Sequence, residues 1–310
     1  MAGVQTTVFE RFIDGKFRDI DAGTHLAGIM DLSSKVSVVD GGAAVINITE
    51  IGADPIVLID NSVYPIAKVV RTDTAVLVQL RKLDTTNTDT SDDSLYGVTT
   101  PIIESATQQH VERLWEQEVA LANQSIAPQA QNLSATVMTG LFLTTGALDP
   151  ATGRKKCLPQ DVINMGKFMD KQKISKTGRK LVLCSDHHAD LLTASQVYFQ
   201  QYSDIREGKV LKLWGFDIFM EVDMPRYQGT AGNPATMAKV AFGAVASVND
   251  RNGSFAYHNR NCVKASTASK MYYREARLDP ENRSSVMGFR RYTIVMPKRT
   301  LGICAMVSDN

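Results

Sequence analysis

The stretch GRKLVLCSDHHADLL, residues 178–192, decides how the middle of this chain folds. Its apolar run LVLC at 181–184 is typical of a strand that is covered on both faces of a sheet. The following SDHHADLL indicates a helix that begins directly after that strand. Asp186, His187 and His188 therefore lie either in the first turn of a structural helix or in a metal site at the end of a strand.

The metal interpretation requires more of the sequence than the structural one. Some phosphoesterases carry Asp-His-His after a strand and bind two divalent cations, whose shells need further carboxylates and histidines. The other histidines, His25, His110 and His258, are scattered along the chain. The structural interpretation needs only Ser185 as the helix cap and Asp186 near the positive end of the helix dipole, so it is favoured. The side chains then expected to face the core are Leu191, Leu192 and Val197.

Composition and charge exclude several classes of protein. The 310 residues are 44% hydrophobic and 22% charged, which is ordinary for a soluble globular protein of about two domains or one large one. The 34 basic residues nearly cancel the 33 acidic ones, so overall charge does not indicate nucleic acid as the main partner. The N-terminus lacks an apolar signal region, and no apolar run reaches the roughly 18 residues of a membrane span, so no membrane partner is expected.

Motifs for catalysis or cofactor binding are missing as well. The chain has no C-x-x-C, no G-x-G-x-x-G or P-loop and no G-x-S-x-G, so no cofactor, metal or catalytic residue is expected and the chain is predicted not to be an enzyme. Its four cysteines are far apart, and Cys184 and Cys304 lie in apolar runs. Buried reduced thiols are therefore predicted, which fits a reducing compartment.

The N-terminal third is predicted to be extended. Residues 1–44 are poorly periodic, with phenylalanines spread through polar sequence, and are interpreted as an arm that packs on something else. Residues 45–83 are rich in alternating apolar residues and predict a hairpin that stands away from the core. Residues 84–98 carry four aspartates and predict a solvated loop or a contact surface.

The clearest helix covers residues 100–127. Thr100 can be its N-cap and Pro101 its first residue, and Val111, Leu114 and Val119 recur at helical spacing. Some 27 residues at about 1.5 Å each span roughly 40 Å, which exceeds what one small domain usually needs.

The remaining sequence alternates helices and strands before two long extended runs. It predicts a helix at 159–172, a strand at 179–184, and two strands that are separated by a break at Gly215. Residues 226–237 are predicted to be a loop, and VAFGAVASVN at 240–249 to continue in β conformation. The final runs cover 284–296, which contain the pair Arg290-Arg291, and 301–308. Paired arginines in a strand are predicted to make ion pairs at a subunit contact.

Taken together, this α+β order of parts resembles the major capsid proteins of tailed bacteriophages, which have the HK97-like fold. The resemblance is sharpest from 159 to 308, where a strand leads into a short helix and a G-x-v-x-k-i-x-G-f-x-i stretch with a terminal proline follows. An aspartate-proline followed by strands with paired arginines is also typical. The matching residues are Gly208, Lys212, Gly215, Phe216, Pro225, Asp279-Pro280 and Arg290-Arg291.

The resemblance implies five regions. Residues 1–60 would be the N-terminal arm and first P-domain strand, and 61–99 the E-loop, which lies over a neighbouring subunit. Residues 100–134 would be the P-domain spine helix, 135–265 the A-domain, and 266–310 the returning P-domain strands.

The resemblance also implies a function. The chain would be a structural capsid protein of the virion without catalytic activity, and it would be assembled in the host cytoplasm. Copies of the chain would form the pentamers and hexamers of an icosahedral head, with packaged double-stranded DNA held non-specifically on the inner face. Portal, scaffolding and decoration proteins would be further partners. Some members cross-link an E-loop lysine to a neighbouring asparagine, and Lys68 or Lys82 would be such a lysine, although nothing in the sequence indicates it. The candidate subunit contacts are Phe9, Phe12, Phe17, Arg71, Arg81, Lys82, Asp92, Asp93, Arg290 and Arg291.

Two alternatives stay open at this point. An encapsulin-type cargo cage would share the fold but hold a cargo enzyme instead of a genome. A metal-dependent phosphoesterase would use Asp186, His187 and His188.

Overall fold

The computed structural model describes residues 13–14, 24–39, 43–50, 57–66, 68, 70, 73–91, 102–133, 138–194, 203–204, 209–210, 212–279, 281–299 and 301–309. The α-helices whose two ends are described are α1 Ile102–Ile126, α2 Pro159–Lys171 and α3 Ser185–Thr193. The strands of the first half are β1 Met30–Asp31, β2 Ser37–Val39, β3 Ala43–Glu50, β4 Thr74–Gln79, β5 Arg81–Asp84, β6 Thr88–Ser91, β7 Asn132–Leu133 and β8 Met138–Leu143. Those of the middle are β9 Arg179–Leu183, β10 Ser203–Asp204, β11 Lys209–Val210, β12 Lys212–Leu213, β13 Phe216–Met220, β14 Arg226–Gln228 and β15 Ala238–Lys239. The last are β16 Arg251–His258, β17 Cys262–Ser266, β18 Lys270–Arg274, β19 Ser284–Pro297 and β20 Ile303–Val307.

A nine-stranded mixed sheet forms the centre of the described structure. Its main order is β12-β13-β9-β16-β20-β8-β7, and β14 and β15 extend it beside β16. β9 pairs in parallel with β13 and antiparallel with β16, and every residue of β9 is buried. The sequence prediction of a strand that is covered on both faces is confirmed.

Helices cover the two faces of this sheet. Because successive side chains of a strand point to opposite faces, Val182 belongs to one apolar cluster and Leu181 to another. The Val182 cluster includes Val119 and Ile126 of α1. The Leu181 cluster includes Met165 of α2, which is fully buried. The sheet therefore has a separate apolar cluster on each of its two faces.

A six-stranded sheet is built around the 14 residues of β19, as the extended run at 284–296 predicted. β17 and β18 pair with β19, and so do β5 and β6. The N-terminal half of α1 packs on this sheet through Val111 and Leu114, which join Phe289 in one cluster. The single helix α1 therefore contributes to two cores.

β3 and β4 form the predicted hairpin. They pair antiparallel from Val45↔Gln79 to Glu50↔Thr74, and β2 adds a third strand. Ile46 and Ile48 of β3 are buried together with Leu80, and they form one apolar cluster with Val263 of β17.

Several sequence predictions need correction. The segment 84–98 was expected to be a loop or contact surface, but its described part includes β6, because its backbone pairs with β19. Residues 241–249 are turns and not strand, because they lie on the surface without a pairing partner in the described chain. β20 lies between β16 and β8 in the nine-stranded sheet, apart from β19, and the assignment of residues 266–310 to returning P-domain strands stays a prediction.

Some predicted helix boundaries are confirmed and one predicted cap is wrong. α2 lies within one residue of its prediction. The start of α3 is confirmed, but its cap position is Cys184, without a side-chain cap hydrogen bond, so the predicted capping by Ser185 is wrong. Thr100, Pro101 and Val197 lie outside the described residues. Among the described helices, none is long and apolar enough to cross a membrane.

Candidate subunit-contact surfaces

His187 is a core residue that links three elements of the nine-stranded sheet region. Its side chain is fully buried, its Nδ1 lies 2.7 Å from the Ser254 hydroxyl of β16, and its Nε2 lies 2.9 Å from the Ser308 hydroxyl after β20. Burial lowers the pKa of His187 to about 4, and the nearby positive charge of Arg154 acts in the same direction. The His187 imidazole is therefore neutral and has both ring nitrogens in hydrogen bonds to serines, so its role is to hold the packed core together.

The neighbouring side chains point to other partners. Asp186 accepts a hydrogen bond from the Asn252 amide at 2.8 Å, and burial lowers the pKa of His188. Within the described ranges, no three or more histidine, cysteine or acidic side chains converge as a metal site would require. The geometry supports the structural interpretation of the Asp-His-His stretch. All four cysteines are buried and reduced, as predicted.

The paired arginines of β19 make their ion pairs within the chain. Arg290 donates hydrogen bonds to both carboxylate oxygens of Asp84 on β5, at 2.5 and 3.2 Å. These bonds lower the pKa of Asp84. The Arg290 guanidinium also lies over the Tyr272 ring. Arg291 is buried, with Nε 3.1 Å from Glu118 of α1 and a further pair to Asp14 at 3.4 Å. Arg291 was predicted to be a subunit contact. Its charge is satisfied between α1 and β19 of its own chain, and its role as a subunit contact stays a prediction.

The outer hairpin, residues 43–79 as far as they are described, carries the largest set of exposed apolar side chains. Val57 is 83% exposed and Ile59 is 85% exposed, although both belong to residue types that are usually buried. The other exposed apolar members are Leu58, Val63, Tyr64, Ile66, Val70, Val76 and Leu77. Exposed apolar side chains concentrated in one segment make it a candidate interaction site.

Comparison with known proteins rests on structure alone. No protein-family model matches the chain, and no curated protein matches it. The capsid structure of Cyanophage P-SCSP1u superposes with a TM-score of 0.62 over 90% of this chain and 86% of that chain, at 13% sequence identity. The capsid of Ralstonia phage GP4 gives a TM-score of 0.60 over 92% and 88% at 9% identity, and the bacteriophage PhiM1 mature capsid gives 0.59 over 91% and 86% at 13%.

This chain has the HK97-like capsid fold. Identities of 13% and below make this a likeness of fold, carried by the order and packing of the elements and not by shared sequence.

Within the capsid fold, the predicted contact residues that the structure describes lie on the paired strands β5 and β19. Arg81 and Lys82 are exposed on β5, and Lys82 pairs with Asp84 at 3.3 Å. The predicted contacts Phe9, Phe12, Phe17, Arg71, Asp92 and Asp93 lie outside the described residues, and Lys68 is exposed. Arg81, Lys82 and Arg290 stay predictions as subunit contacts.

A groove in this capsid fold lies between α1 and strands β5 and β6. Its lining is largely polar and includes Lys82, Asp84, Glu112 and Glu116. At its inner wall His110 lies 2.7 Å from the Thr88 hydroxyl, and burial lowers the pKa of His110. Charges of both signs line the groove.

The valine loop, residues 241–250, is a second exposed apolar surface of the capsid fold that the sequence analysis missed. Val245 is 92% and Val248 97% exposed. Arg226 holds the loop from inside by donating to the Asp250 carboxylate and to the Ala244 carbonyl, both at 2.5 Å. Gln228, the Ser247 N–H and Arg226 together lower the pKa of Asp250. The available signal was Gly243 with Asn249-Asp250, which are turn residues at the two ends of an apolar segment.

Proposed function

We propose that this chain is a structural major capsid protein that self-assembles into the pentamers and hexamers of an icosahedral phage head around double-stranded DNA. The observation that carries the proposal is the outer hairpin, which exposes nine large apolar side chains on a capsid fold. In the part of the chain that the structure describes, nothing covers this surface, whereas many copies would cover it for one another, and their weak contacts would add up through multivalency.

The proposed regions follow the fold. The outer hairpin and the segment around it correspond to the E-loop, α1 to the spine helix, and the six-stranded sheet with β19 to the P-domain. The nine-stranded sheet corresponds to the A-domain, and β20 joins it there. The valine loop projects from this sheet region and is a second candidate contact between copies.

The proposed role is a structural one, in the virion, after assembly in the host cytoplasm. Portal, scaffolding and decoration proteins are proposed partners. The match to phage capsids favours this role over a phosphoesterase, since His187 is used in packing.

Electron microscopy of the purified full-length chain tests the proposal. Closed shells with five- and six-fold clusters are the expected result. A chain that stays monomeric under all assembly conditions contradicts it. A cargo cage and a phage head are distinguished by what the particles from the native source contain, which is a protein in the first case and DNA in the second.

A further inference from the structure

Three turns of the chain meet at one end of the nine-stranded sheet. The turn after α2, residues 172–178, contacts the turn between β16 and β17, because the Asn259 N–H donates to the Gly178 carbonyl at 3.1 Å. The turn between β19 and β20 joins them. There the Lys298 N–H donates to the Asn261 carbonyl at 2.8 Å, and the Gly302 N–H donates to the Gln172 side chain at 2.5 Å.

The charged side chains at these turns are all positive. The basic turn cluster consists of Lys171, Lys173, Lys176, Arg260 and Lys298, all of them exposed or half-buried. The sequence of the three turns contains no aspartate or glutamate. Asp170, which precedes the first turn, is already bonded to Arg179 at 2.6 Å. In the part of the chain that the structure describes, none of the five cations has an ion-pair partner.

Local structure explains only part of this arrangement. A lysine at the C-terminus of α2 is stabilised by the helix dipole, which accounts for Lys171 and Lys173. Lys176, Arg260 and Lys298 lie at the end of no α-helix. The chain as a whole has a net charge of only +1, so its overall composition does not explain why positive charges gather at this end of the sheet.

The surroundings of the cluster are polar. Ser175, Thr177 and Asn259 lie in the same turns, whereas Ile174 packs inward on the apolar cluster of α2. The core of a protein–protein interface is apolar and depleted in charge, especially in lysine. Contacts to a nucleic-acid backbone are polar, strongly positive and independent of base sequence.

We propose that the basic turn cluster binds the phosphate backbone of double-stranded DNA. It therefore marks the surface of the subunit that meets the packaged genome. The presence of DNA rests on the proposed function, but binding of DNA by this surface can be measured on unassembled protein.

The test uses the full-length chain before assembly and a short fluorescein-labelled DNA duplex, with binding followed by fluorescence anisotropy at several salt concentrations. The variant Lys173→Glu/Lys176→Glu/Arg260→Glu is expected to bind at least about tenfold more weakly at low salt. The slope of log K against log[salt] is expected to fall in magnitude by about three, roughly one for each cation removed. Lys173→Gln/Lys176→Gln/Arg260→Gln is a milder version, to be used if charge reversal prevents folding.

The matched control is Lys270→Glu/Arg277→Glu/Arg283→Glu, which changes net charge equally on exposed residues of β18 and the turns after it. Equal loss of DNA binding in both variants shows a bulk charge effect and overturns the inference. Loss of shells in the cluster variant alone shows a contact between copies and also overturns it. If the wild type forms no shells but binds DNA through the cluster, the proposed function fails and the inference stands.

Discussion

The nine-stranded sheet and the outer hairpin are built from the same residue types but are covered differently. Val182 and Leu181 of β9 are fully buried, because α1 covers one face of the sheet and α2 the other. In the hairpin, Ile46 is buried at the base while Val57 and Ile59 are more than 80% exposed. The difference teaches that burial in the sheet stabilises the fold, whereas the exposed apolar area of the hairpin is, under the proposed function, available for contacts between copies.

The largest expected effect is on shell formation, and it follows from substitutions in the outer hairpin. Val57→Ser/Ile59→Ser removes two apolar side chains that are worth about 1.5–3 kcal/mol each when buried in a contact that recurs throughout the shell. We expect shell formation to be lost, while the free energy of unfolding of the monomer changes by less than about 0.5 kcal/mol, since both residues are exposed. Electron microscopy and urea unfolding measure the two quantities.

Leu148→Ser/Leu278→Ser is the matched control, because both leucines are exposed outside the hairpin. It is expected to keep the shells. Shells that survive the hairpin substitutions and fail in the control would reverse the roles assigned to these surfaces.

The second prediction tests the covered side of the comparison, at the ion pair between α1 and β19. Glu118 accepts a hydrogen bond from Thr293 at 2.6 Å and pairs with Arg291, and both charges are buried. Glu118→Ala removes the carboxylate nearest to a buried arginine, so we expect a loss of about 3 kcal/mol in unfolding free energy. Thermal or urea unfolding measures it.

Glu116 supplies the control on the same helix. It pairs with Arg113 at 2.7 Å on the exposed face, so Glu116→Ala is expected to cost less than about 0.5 kcal/mol. Equal losses in the two variants would mean that burial does not separate the two pairs energetically.

The third prediction concerns acid. The pKa of His187 is about 4 in the folded chain against 6.5 in the unfolded one, so between these values the unfolded state binds more protons. Stability therefore falls as pH drops from 6.5 towards 4, by up to about 3 kcal/mol from this residue. Urea unfolding at about pH 7 and pH 4.5 measures the change.

His187→Gln keeps hydrogen-bonding capacity without titrating in this range. It should therefore reduce the loss on acidification, although burial also lowers the pKa of His110, His188 and His258 and their contribution remains. Unchanged acid sensitivity in the variant would locate the effect in those other histidines. The outer hairpin contains no histidine, so its contacts are not expected to share this dependence.

Local patterns predicted much of the fold, and long-range pairings set the rest. The strand and helix at 179–193 follow from an apolar run and the polar start of a helix, both of which are local signals. Arg290 pairs with Asp84 across 206 positions, and no local signal links the two. β20 could not be assigned to a sheet from its sequence, because an apolar run suits any strand that is covered on both faces. The valine loop resembles a strand in composition. Its turn conformation is held by Arg226, which bonds to the Ala244 carbonyl some 18 positions along the chain.

The smallest expected effect compares the two exposed surfaces with each other. The outer hairpin is held by a backbone ladder, whereas the valine loop depends on side chains that converge on Asp250. Asp250→Ala removes those bonds at the surface, so we expect a loss of about 1 kcal/mol in unfolding free energy. Cleavage by a protease within 241–250 should become faster, and Asn249→Ala should leave it unchanged. If cleavage is equally slow in Asp250→Ala, the loop owes its shape to its own backbone. Arg226 is then not what keeps Val245 and Val248 exposed at the surface.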